Sequence, residues 1–489
     1  MGETGQGLFA AGFNGSIRVE GRPERLTAEA GALLLRETME RLGIIRWLTD
    51  RLEDPRKPEL VTHPLDELLR TNLLLLAQGW RDHDDADFLR DDPVLRLAVS
   101  NRRGIGPLAM RPRVPGEQLV HNPEVPDGLA SQPTHSRLTR ALSSEKNRAL
   151  LRENLMVSAG QRVRGMNGGK KLAHLTLDAD SLPVEVHGSQ PGSEYNGHYH
   201  ARIYHPIVAN AAQTGDALDL HLREGNVRSA EGSVDFILPL LDRAEKELCE
   251  IASVRIDAGF PDEALLSGIE ARNRNYVARI RNNPVLDRMA EPHLRRPVGR
   301  RPKEPRVFFH EMTYRAENWS RERRVVLVVL EREDDLFLHH FWLITNWTEK
   351  GMPPEALLDL YRGRGTAEGH YGELMSVLDP ALASSPRPKS TYAGEAPVRR
   401  YPSADSFAIN EARLLINALA YNVAHAARVL FEVATGEGVG LRRFRERLLR
   451  VAARILVHSN RAILVLASAT AALWSKLWAE LSAFHPAPT

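Results

Sequence analysis

Two aspartates share one face of a predicted strand. Apolar and polar residues alternate through LTLDADS (175–181), so Asp178 and Asp180 project from the same side of the chain. Strands disfavour Asp, and two neighbouring carboxylates repel each other unless a positive charge lies between them. The pair is therefore a candidate for binding a cation.

Two other acids stand out by their context. Asp257 ends the short apolar strand SVRID and precedes Ala-Gly-Phe, which puts it at a strand terminus beside a tight turn. Glu368 lies on a helix predicted after Pro354, in one stripe with Tyr361 and Arg364 at i, i+3 and i+7. Each acid alone is more often a surface or capping residue, so the combination carries the inference.

Carboxylates from two strands and one helix supply the oxygen ligands that Mg²⁺ and Mn²⁺ prefer. Two such ions ~3.5–4 Å apart can activate an attacking oxygen and stabilise a leaving one during phosphodiester displacement. We therefore predict two divalent ions, Mg²⁺ or Mn²⁺, with ligands drawn from Asp178, Asp180, Asp257 and Glu368.

The elements that must position these acids follow from hydrophobic periodicity. The N-terminal part reads as helices at 26–53, 64–98 and 131–144, separated by an acidic loop at 81–93 and a linker at 104–128. Strand patterns from 172 to 222, followed by alternating helix and strand to 280, predict a mixed α/β sheet flanked by helices. Strand patterns return at 283–350 and predict a β-rich insertion. After Pro354 the chain reads as helical, apart from a Pro- and Ser-rich loop at 384–406.

Composition limits the class of protein. A chain of 489 residues predicts two or three domains, and 43% hydrophobic with 26% charged residues is typical of a soluble globular protein. The single cysteine, Cys249, fits a reducing cytosol. The apolar run at Ala462–Trp474 is shorter than the roughly 18 residues of a spanning helix. We expect a cytoplasmic protein with no membrane partner.

Positive charge is concentrated in two segments although the net charge is only +2. Residues 292–324 contain ten Arg or Lys against four Glu, and residues 441–461 contain seven Arg against Glu446. Such segments are typical of a phosphate-contacting surface, with solvated surface as the alternative for each. The candidate DNA contacts in them are Trp319, Arg321, Arg323, Arg324, Arg442, Arg443, Arg447 and Arg450.

Two of these predictions have an explicit alternative. The segment YRAENWSRERR surrounds Trp319 with charge, which favours exposure and stacking on an unpaired base, whereas the alternative is a Trp packed in the sheet. The helix at 131–144 would carry Arg137 and Arg140 on one exposed face and read a groove or grip phosphates, but an ordinary capped helix fits equally well.

The ordered motifs of the chain resemble those of bacterial insertion-sequence DDE transposases, specifically the insertion-sequence 1380 family. The resemblance runs nearly end to end, through GWRDHDDADFLRDDP, LASQPTHSRLTR, LDADSLPVEVHGSQPGSEYNGHYHARIYHPI, LREGN, RIDAGF, YRGRGTAEGHYGEL and INEARLLINALAYNV.

This resemblance implies an RNase H-like catalytic core whose three acids map to the Asp178/Asp180 pair, to Asp257 and to Glu368. Within the pair it favours Asp180 as the direct ligand. Tyr361 and Arg364 match a Tyr–Arg–Glu signature that contacts DNA ends. Met375 stands where related transposases have Lys, so either a neighbour such as Arg362 takes over that contact with the DNA end or the enzyme is weakened.

The implied organisation is a helical N-terminal DNA-binding region (1–150), a core in two parts (151–282 and 351–385) around the insertion (283–350), and a helical C-terminal region (386–489). The partners would be double-stranded DNA, namely the terminal inverted repeats and target DNA, bound by a homodimer on paired ends. Two alternatives remain: a DNA-binding protein whose catalysis has decayed, and a metal-dependent nuclease without joining activity.

Overall fold

The computed structural model describes residues 9–19, 24–108, 128–186, 190–296, 302–380, 382 and 405–484. Most of the predicted linker and nearly all of the predicted Pro- and Ser-rich loop lie outside these residues, as do Arg300 and Arg301 of the first basic segment.

Helices dominate the N-terminal part of the chain, but they are shorter than the periodicity predicted. Gly43 (φ 65°) separates the first two helices and Gly79 (φ 92°) ends the third, since glycine adopts this left-handed conformation without a Cβ clash. The predicted acidic loop contains a further short helix. The elements are β1 (Phe9–Ala11), β2 (Asn14–Val19), β3 (Leu26–Thr27), α1 (Ala32–Arg41), α2 (Ile44–Thr49), α3 (Leu65–Gln78), α4 (Asp84–Phe88), α5 (Pro93–Val99), α6 (Gln132–Leu142) and α7 (Glu145–Met166).

The middle of the chain forms the predicted mixed α/β architecture. Its elements are β4 (Leu172–Ser181), β5 (Val184–Glu185), β6 (Glu194–Asn196), β7 (Ala201–Tyr204), β8 (Ile207–Ala211), β9 (Ala217–His221), α8 (Ser233–Glu247), β10 (Cys249–Ile256), α9 (Glu263–Ala271), β11 (Asn275–Ile280), α10 (Pro284–Ala290), β12 (Arg306–Tyr314), β13 (Arg323–Glu331) and β14 (His339–Thr345).

Eight of these strands form one sheet, in the order β12-β13-β14-β11-β10-β4-β8-β9. Strands β4, β10 and β11 are parallel, and every other neighbouring pair in the sheet is antiparallel. In the parallel register Ala179 lies beside Ile256, which lies beside Ala278. The carboxyl ends of three neighbouring strands therefore meet at one edge of the sheet.

The strands predicted as a β-rich insertion extend this same sheet. β14 pairs with β11 through the register Val277–Thr345 to Ile280–Trp342, and β13 and β12 follow outward. The central strand β13 is a continuous apolar run, as expected of a strand that is buried on both faces of a sheet. The structure thus places these strands beside the core strands and not above them.

Helices cover both faces of the sheet. On one face α8, α9 and α10 pack with Val254, Tyr276 and Val325 in a single apolar cluster. On the other face Val277, Val326 and Leu343 pack against Leu357 and Leu358 of the helix that follows β14. This second face also carries Asp178, because Asp178, Arg255 and Val277 occupy one row of the parallel strands.

The C-terminal part is not purely helical, contrary to the prediction. Its elements are α11 (Pro354–Arg362), α12 (Arg364–Val377), α13 (Asp405–Thr435), α14 (Leu441–Phe444), β15 (Ala453–His458), β16 (Arg461–Val465) and α15 (Ser468–Ala483). The second basic segment, predicted as a helix, ends in the β15–β16 hairpin, which pairs with β3. Alternating apolar residues at 453–457 explain the strand.

Among the described residues, α13 alone has the length and composition to cross a membrane, with 31 residues and a mean hydropathy of 1.3 in its most apolar window. That window is 94% buried within the fold, as is usual for a core helix.

Candidate active site

Three carboxylates converge at the edge where the parallel strands end. Asp180 is the penultimate residue of β4, and Asp257 directly follows β10. Backbone N–H groups hold both, because Ser181 N donates to Asp180 Oδ1 at 2.8 Å and Gly259 N donates to Asp257 Oδ1 at 2.8 Å. Glu368 reaches the same edge from α12.

The guanidinium of Arg364 lies among these three acids. Its Nη2 is 3.0 Å from Asp180 Oδ2 and 3.2 Å from Glu368 Oε1, and its Nη1 is 3.9 Å from Asp257 Oδ2. The three carboxylates therefore surround one positive charge, which offsets their mutual repulsion.

The acids differ in exposure and in pKa. The Asp180 side chain is 16% exposed, against 34% for Asp257 and 59% for Glu368. Burial raises the pKa of Asp180 to about 6, repulsion from Asp257 and Glu368 adds to the rise, and Arg364 opposes it. Asp180 is thus the member of the group whose negative charge most needs a nearby cation.

Asp178 is separate from this group although it shares a sheet face with Asp180. It is 1% exposed and accepts hydrogen bonds from Arg255 on the neighbouring strand, with Nη2–Oδ2 at 2.6 Å. Arg255 also donates to Leu360 O at the end of α11. Asp178 therefore positions Arg255 and α11 in the described conformation, and its role as a metal ligand stays a prediction.

Two hydrogen bonds and one glycine hold α11 and α12 against the strand. Tyr371 Oη donates to Asp178 O at 2.8 Å, which fixes α12 over β4. Gly363 lies between the helices, and a Cβ there would clash with the Arg255 guanidinium. Because only glycine allows this approach, Arg255 can pass beneath the helix junction.

The predicted stripe on one helix is divided between two helices. Tyr361 belongs to α11, whereas Arg364 and Glu368 belong to α12, with the break at Gly363. Tyr361 packs near Phe341, at 6.5 Å between ring centroids, and burial raises its pKa. The charges of Asp257 and Glu368 contribute to this rise, which places Tyr361 near the carboxylate group.

The donor chemistry of the group fits a divalent cation, since three carboxylates from three elements supply hard oxygen ligands. Their spacing in the described conformation does not yet form a closed site: no three His, Cys, Asp or Glu side chains among the described residues are arranged to hold a metal ion. Arg364 occupies the centre, so the residues fit the ions once its side chain moves away.

The comparison with family models identifies the chain. Residues 9–379 match the model described as transposase DDE domain group 1, a range that includes every residue of the carboxylate group. The chain belongs to this family of DDE transposases.

Two further comparisons do not add to the family assignment. A search of curated proteins found no match. Among solved structures, the cryo-EM structure of the piggyBac transposase synaptic complex with hairpin DNA is similar with a TM-score of 0.39 and 12% identity, over 94% of this chain and 86% of that one.

Three predicted DNA-contacting arginines in the first basic segment of this DDE transposase pair with carboxylates of the fold. Arg323 is 2% exposed and bonds Glu263 and Glu270, Arg324 bonds Glu311, and Arg321 also pairs with Glu270. Buried or paired arginines offer phosphate little free charge in this conformation, and the DNA contacts of Arg323 and Arg324 stay predictions. Arg321 remains 57% exposed.

Trp319 is buried, contrary to the predicted exposure. It is 8% exposed and lies against Tyr314, at 5.4 Å between rings, and beneath the Arg323 guanidinium at 5.0 Å. The charged residues around it in sequence pair with carboxylates and leave the ring in the apolar cluster. The structure therefore favours the packing alternative over base stacking.

The other predicted DNA contacts remain exposed in part. Arg137 and Arg140 lie on the outer face of α6. Arg442 and Arg443 are exposed on α14, whereas Arg447 pairs with Glu437 at 3.2 Å and Arg450 lies 4.7 Å above the Trp80 ring. Met375 packs against the core, and Arg362, its proposed replacement, is exposed.

Two buried arginines near the site were missed by sequence reasoning. Arg223, in the LREGN motif, donates from Nη2 to Ser181 Oγ at 2.8 Å and from Nη1 to Glu231 O at 2.6 Å, which fastens a loop to the end of β4. Arg255 precedes Asp257 by two residues. Strand alternation alone would have placed it on the carboxylate face.

Proposed function

We propose that this protein cuts DNA at the ends of its own mobile element and joins the freed 3′-OH to target DNA, with Asp180, Asp257 and Glu368 as the ligands of two Mg²⁺ or Mn²⁺ ions. The observation that carries the proposal is the convergence of these three carboxylates around the single cation Arg364. The family match supports a transposase, and the finer assignments are ours.

The position of the acids supports an RNase H-like core. Two of them end neighbouring parallel strands of a mixed sheet, and the third lies on a helix packed over those strands. Between the second and third acids the chain adds the three strands β12–β14. The assignment to the insertion-sequence 1380 family, with a bacterial cytoplasmic host, rests on the ordered sequence motifs.

The chemistry consists of two displacements at phosphorus. In cleavage, water attacks the phosphorus atom, the bond to the 3′ oxygen breaks and the 3′-OH leaves; in joining, that 3′-OH attacks a target phosphorus and displaces another 3′ oxygen. When bound, divalent ions activate the attacking oxygen and stabilise the leaving oxygen. Ser181 N and Gly259 N hold Asp180 and Asp257 in place for this purpose.

Arg364 has a second task in this proposal. Once its guanidinium leaves the carboxylates, it is free to bind a DNA phosphate, for which its planar donors are suited. Duplex DNA would be held at the element ends and the target by the exposed arginines of α6 and α14. A homodimer on paired ends completes the proposed assembly.

The test uses a plasmid that carries the gene with its native flanking DNA, a second target plasmid, and Mg²⁺ or Mn²⁺. We expect cleavage at the element ends and joined products. Asp257→Asn and Glu368→Gln should abolish both while DNA binding persists, because affinity comes mainly from phosphate contacts. Asp359→Asn and Glu355→Gln, exposed acids on α11, are the matched controls.

The outcomes separate the alternatives. Metal-dependent cleavage without joining would indicate a nuclease, and DNA binding without cleavage would indicate a protein whose catalysis has decayed. Cleavage by Asp257→Asn or by Glu368→Gln would remove that residue from the proposed site.

A further inference from the structure

The row of residues that contains Asp180 and Asp257 has a third member on the next parallel strand. Ala179, Ile256 and Ala278 are aligned across β4, β10 and β11, so the residues that follow them, Asp180, Asp257 and Arg279, form the next row. Side chains in one row of parallel strands project from the same face. Arg279 therefore belongs to the carboxylate edge, one strand beyond Asp257.

The packing around Arg279 confirms which face it occupies. Val277, two residues earlier, packs against Leu357 and Leu358 of α11. Arg279 is exposed, and its guanidinium carbon lies 5.2 Å from the ring centroid of Phe341, which in turn lies 6.5 Å from Tyr361. The Arg279 guanidinium, the Phe341 ring and the Tyr361 ring thus lie next to one another beside the acids.

Arg279 has no carboxylate partner among the described residues, unlike three other arginines of this sheet. Arg255, Arg323 and Arg324 each bond an acid, whereas Arg279 has no ion pair within the part of the chain that the structure describes. Contact with the half-buried Phe341 ring restricts the Arg279 side chain without neutralising its charge. The result is a preoriented free cation.

We infer that Arg279, braced by Phe341, binds a backbone phosphate adjacent to the one being cleaved. The inference rests on the proposed function and specifies on which side of the carboxylates the DNA strand continues. Neighbouring strands are about 4.8 Å apart, which puts the Arg279 backbone roughly 10 Å from that of Asp180. That separation suits a flanking phosphate, with the scissile phosphate at the acids.

The guanidinium geometry matches this ligand. Its planar N–H donors form two parallel hydrogen bonds with phosphate oxygens, and such charge-assisted pairs are strong. On the β4 side Arg364 is held by acids, whereas Arg279 can accept an anion without first leaving a carboxylate.

The first experiment compares Arg279→Gln with Arg288→Gln. Arg288 is exposed on α10, which packs on the opposite face of the sheet, so both changes remove one exposed charge. Binding of a fluorescent duplex that carries one element end is measured at several salt concentrations in Ca²⁺. We expect Arg279→Gln to reduce the slope of log K against log salt by about 0.9, and Arg288→Gln to leave it unchanged.

A second experiment locates the contact. The only native cysteine, Cys249, is buried, so an introduced thiol would be the accessible one. Arg279→Cys should exchange with an activated disulfide tethered to the phosphate beside the cleavage site and form a protein–DNA disulfide. Arg288→Cys should not. Both variants should melt with the wild type because both positions are exposed.

Different results would contradict the proposed function and the proposed role of Arg279. Wild-type protein that does not bind the duplex would overturn the proposed function. The role of Arg279 alone would be overturned if the wild type binds the duplex but both Gln variants have equal salt slopes. It would also be overturned if Arg279→Cys cross-links no better than Arg288→Cys.

Discussion

Arg255 binds Asp178 through a two-pronged contact, with Nη2–Oδ2 at 2.6 Å, and both side chains are almost fully buried. Asp180, two residues away on the same face, instead faces Arg364 and two further acids. Two aspartates with the same strand environment in sequence therefore have different tasks, one structural and one at the site edge.

Exchanging each aspartate for asparagine should separate these tasks. Asp178→Asn leaves Arg255 as a buried, unpaired charge, and breaking such a pair costs about 3–5 kcal/mol of unfolding free energy. Asp180→Asn should instead abolish cleavage without loss of stability. Chemical denaturation and the plasmid cleavage assay decide between them. Equal losses of stability would contradict the assignment, as would cleavage by Asp180→Asn.

Asp180 should also make stability depend on pH. Its folded pKa of about 6 lies above its ordinary value of 3.8, so the folded state binds more protons than the unfolded state between these values. Stability therefore falls as pH rises through this window, by at most about 3 kcal/mol, and the loss is complete above pH 6.

Melting temperatures in EDTA test this dependence. The difference in melting temperature by which Asp180→Asn exceeds the wild type should grow between about pH 4 and pH 6 and then stay constant. Asp359→Asn, an exposed control on α11, should follow the wild type throughout. A pH-independent difference between Asp180→Asn and the wild type would mean that Asp180 titrates normally.

Removing the guanidinium of Arg364 should favour metal binding. Like charges a few ångströms apart at a partly exposed site repel by about 1–4 kcal/mol, so Arg364→Gln should bind Mn²⁺ roughly tenfold or more tightly in the absence of DNA. Electron paramagnetic resonance of free Mn²⁺ measures this directly. Arg362→Gln, two residues away and exposed, is the control. Equal affinity in both variants would show that Arg364 does not compete with the ion.

Trp319 should act through packing. Removal of this buried ring should lower the unfolding free energy by about 3–5 kcal/mol and slow cleavage of both DNA strands equally. Trp478→Ala, at a ring that is 41% exposed on α15, should cost far less. A stable Trp319→Ala variant that is slow only in second-strand cleavage would restore the base-stacking role.

The four arginines predicted in the second basic segment should divide into two pairs. Replacing exposed Arg442 and Arg443 by Gln should reduce the salt slope of DNA binding by about 0.9 per lost phosphate contact. Replacing Arg447 and Arg450, which contact Glu437 and Trp80, should leave the slope unchanged and serves as the control. Equal effects of the two pairs would mean that the contacts of Arg447 and Arg450 with Glu437 and Trp80 break when DNA binds.

Local sequence patterns were enough to predict the α/β class and the strands that carry the acids. Alternating apolar residues predicted β4, β10 and β11, and Asp180 and Asp257 were placed at strand ends because periodicity is a local property of the chain. The strands of 306–345 were predicted for the same reason. Helix lengths were overestimated where Gly43, Gly79 and Gly363 interrupt an otherwise continuous apolar pattern.

Which charged side chains pair with each other depends on the three-dimensional fold. Asp178 and Asp180 are equivalent in sequence, and the parallel register alone brings Arg255 beside the first. The charges around Trp319 suggested a wet surface, but carboxylates from α9, Glu263 and Glu270, neutralise Arg323 and allow the ring to be buried. A long side chain can contact partners that are far apart in sequence. Which partner it contacts depends on strand order and helix packing, which local sequence patterns do not specify.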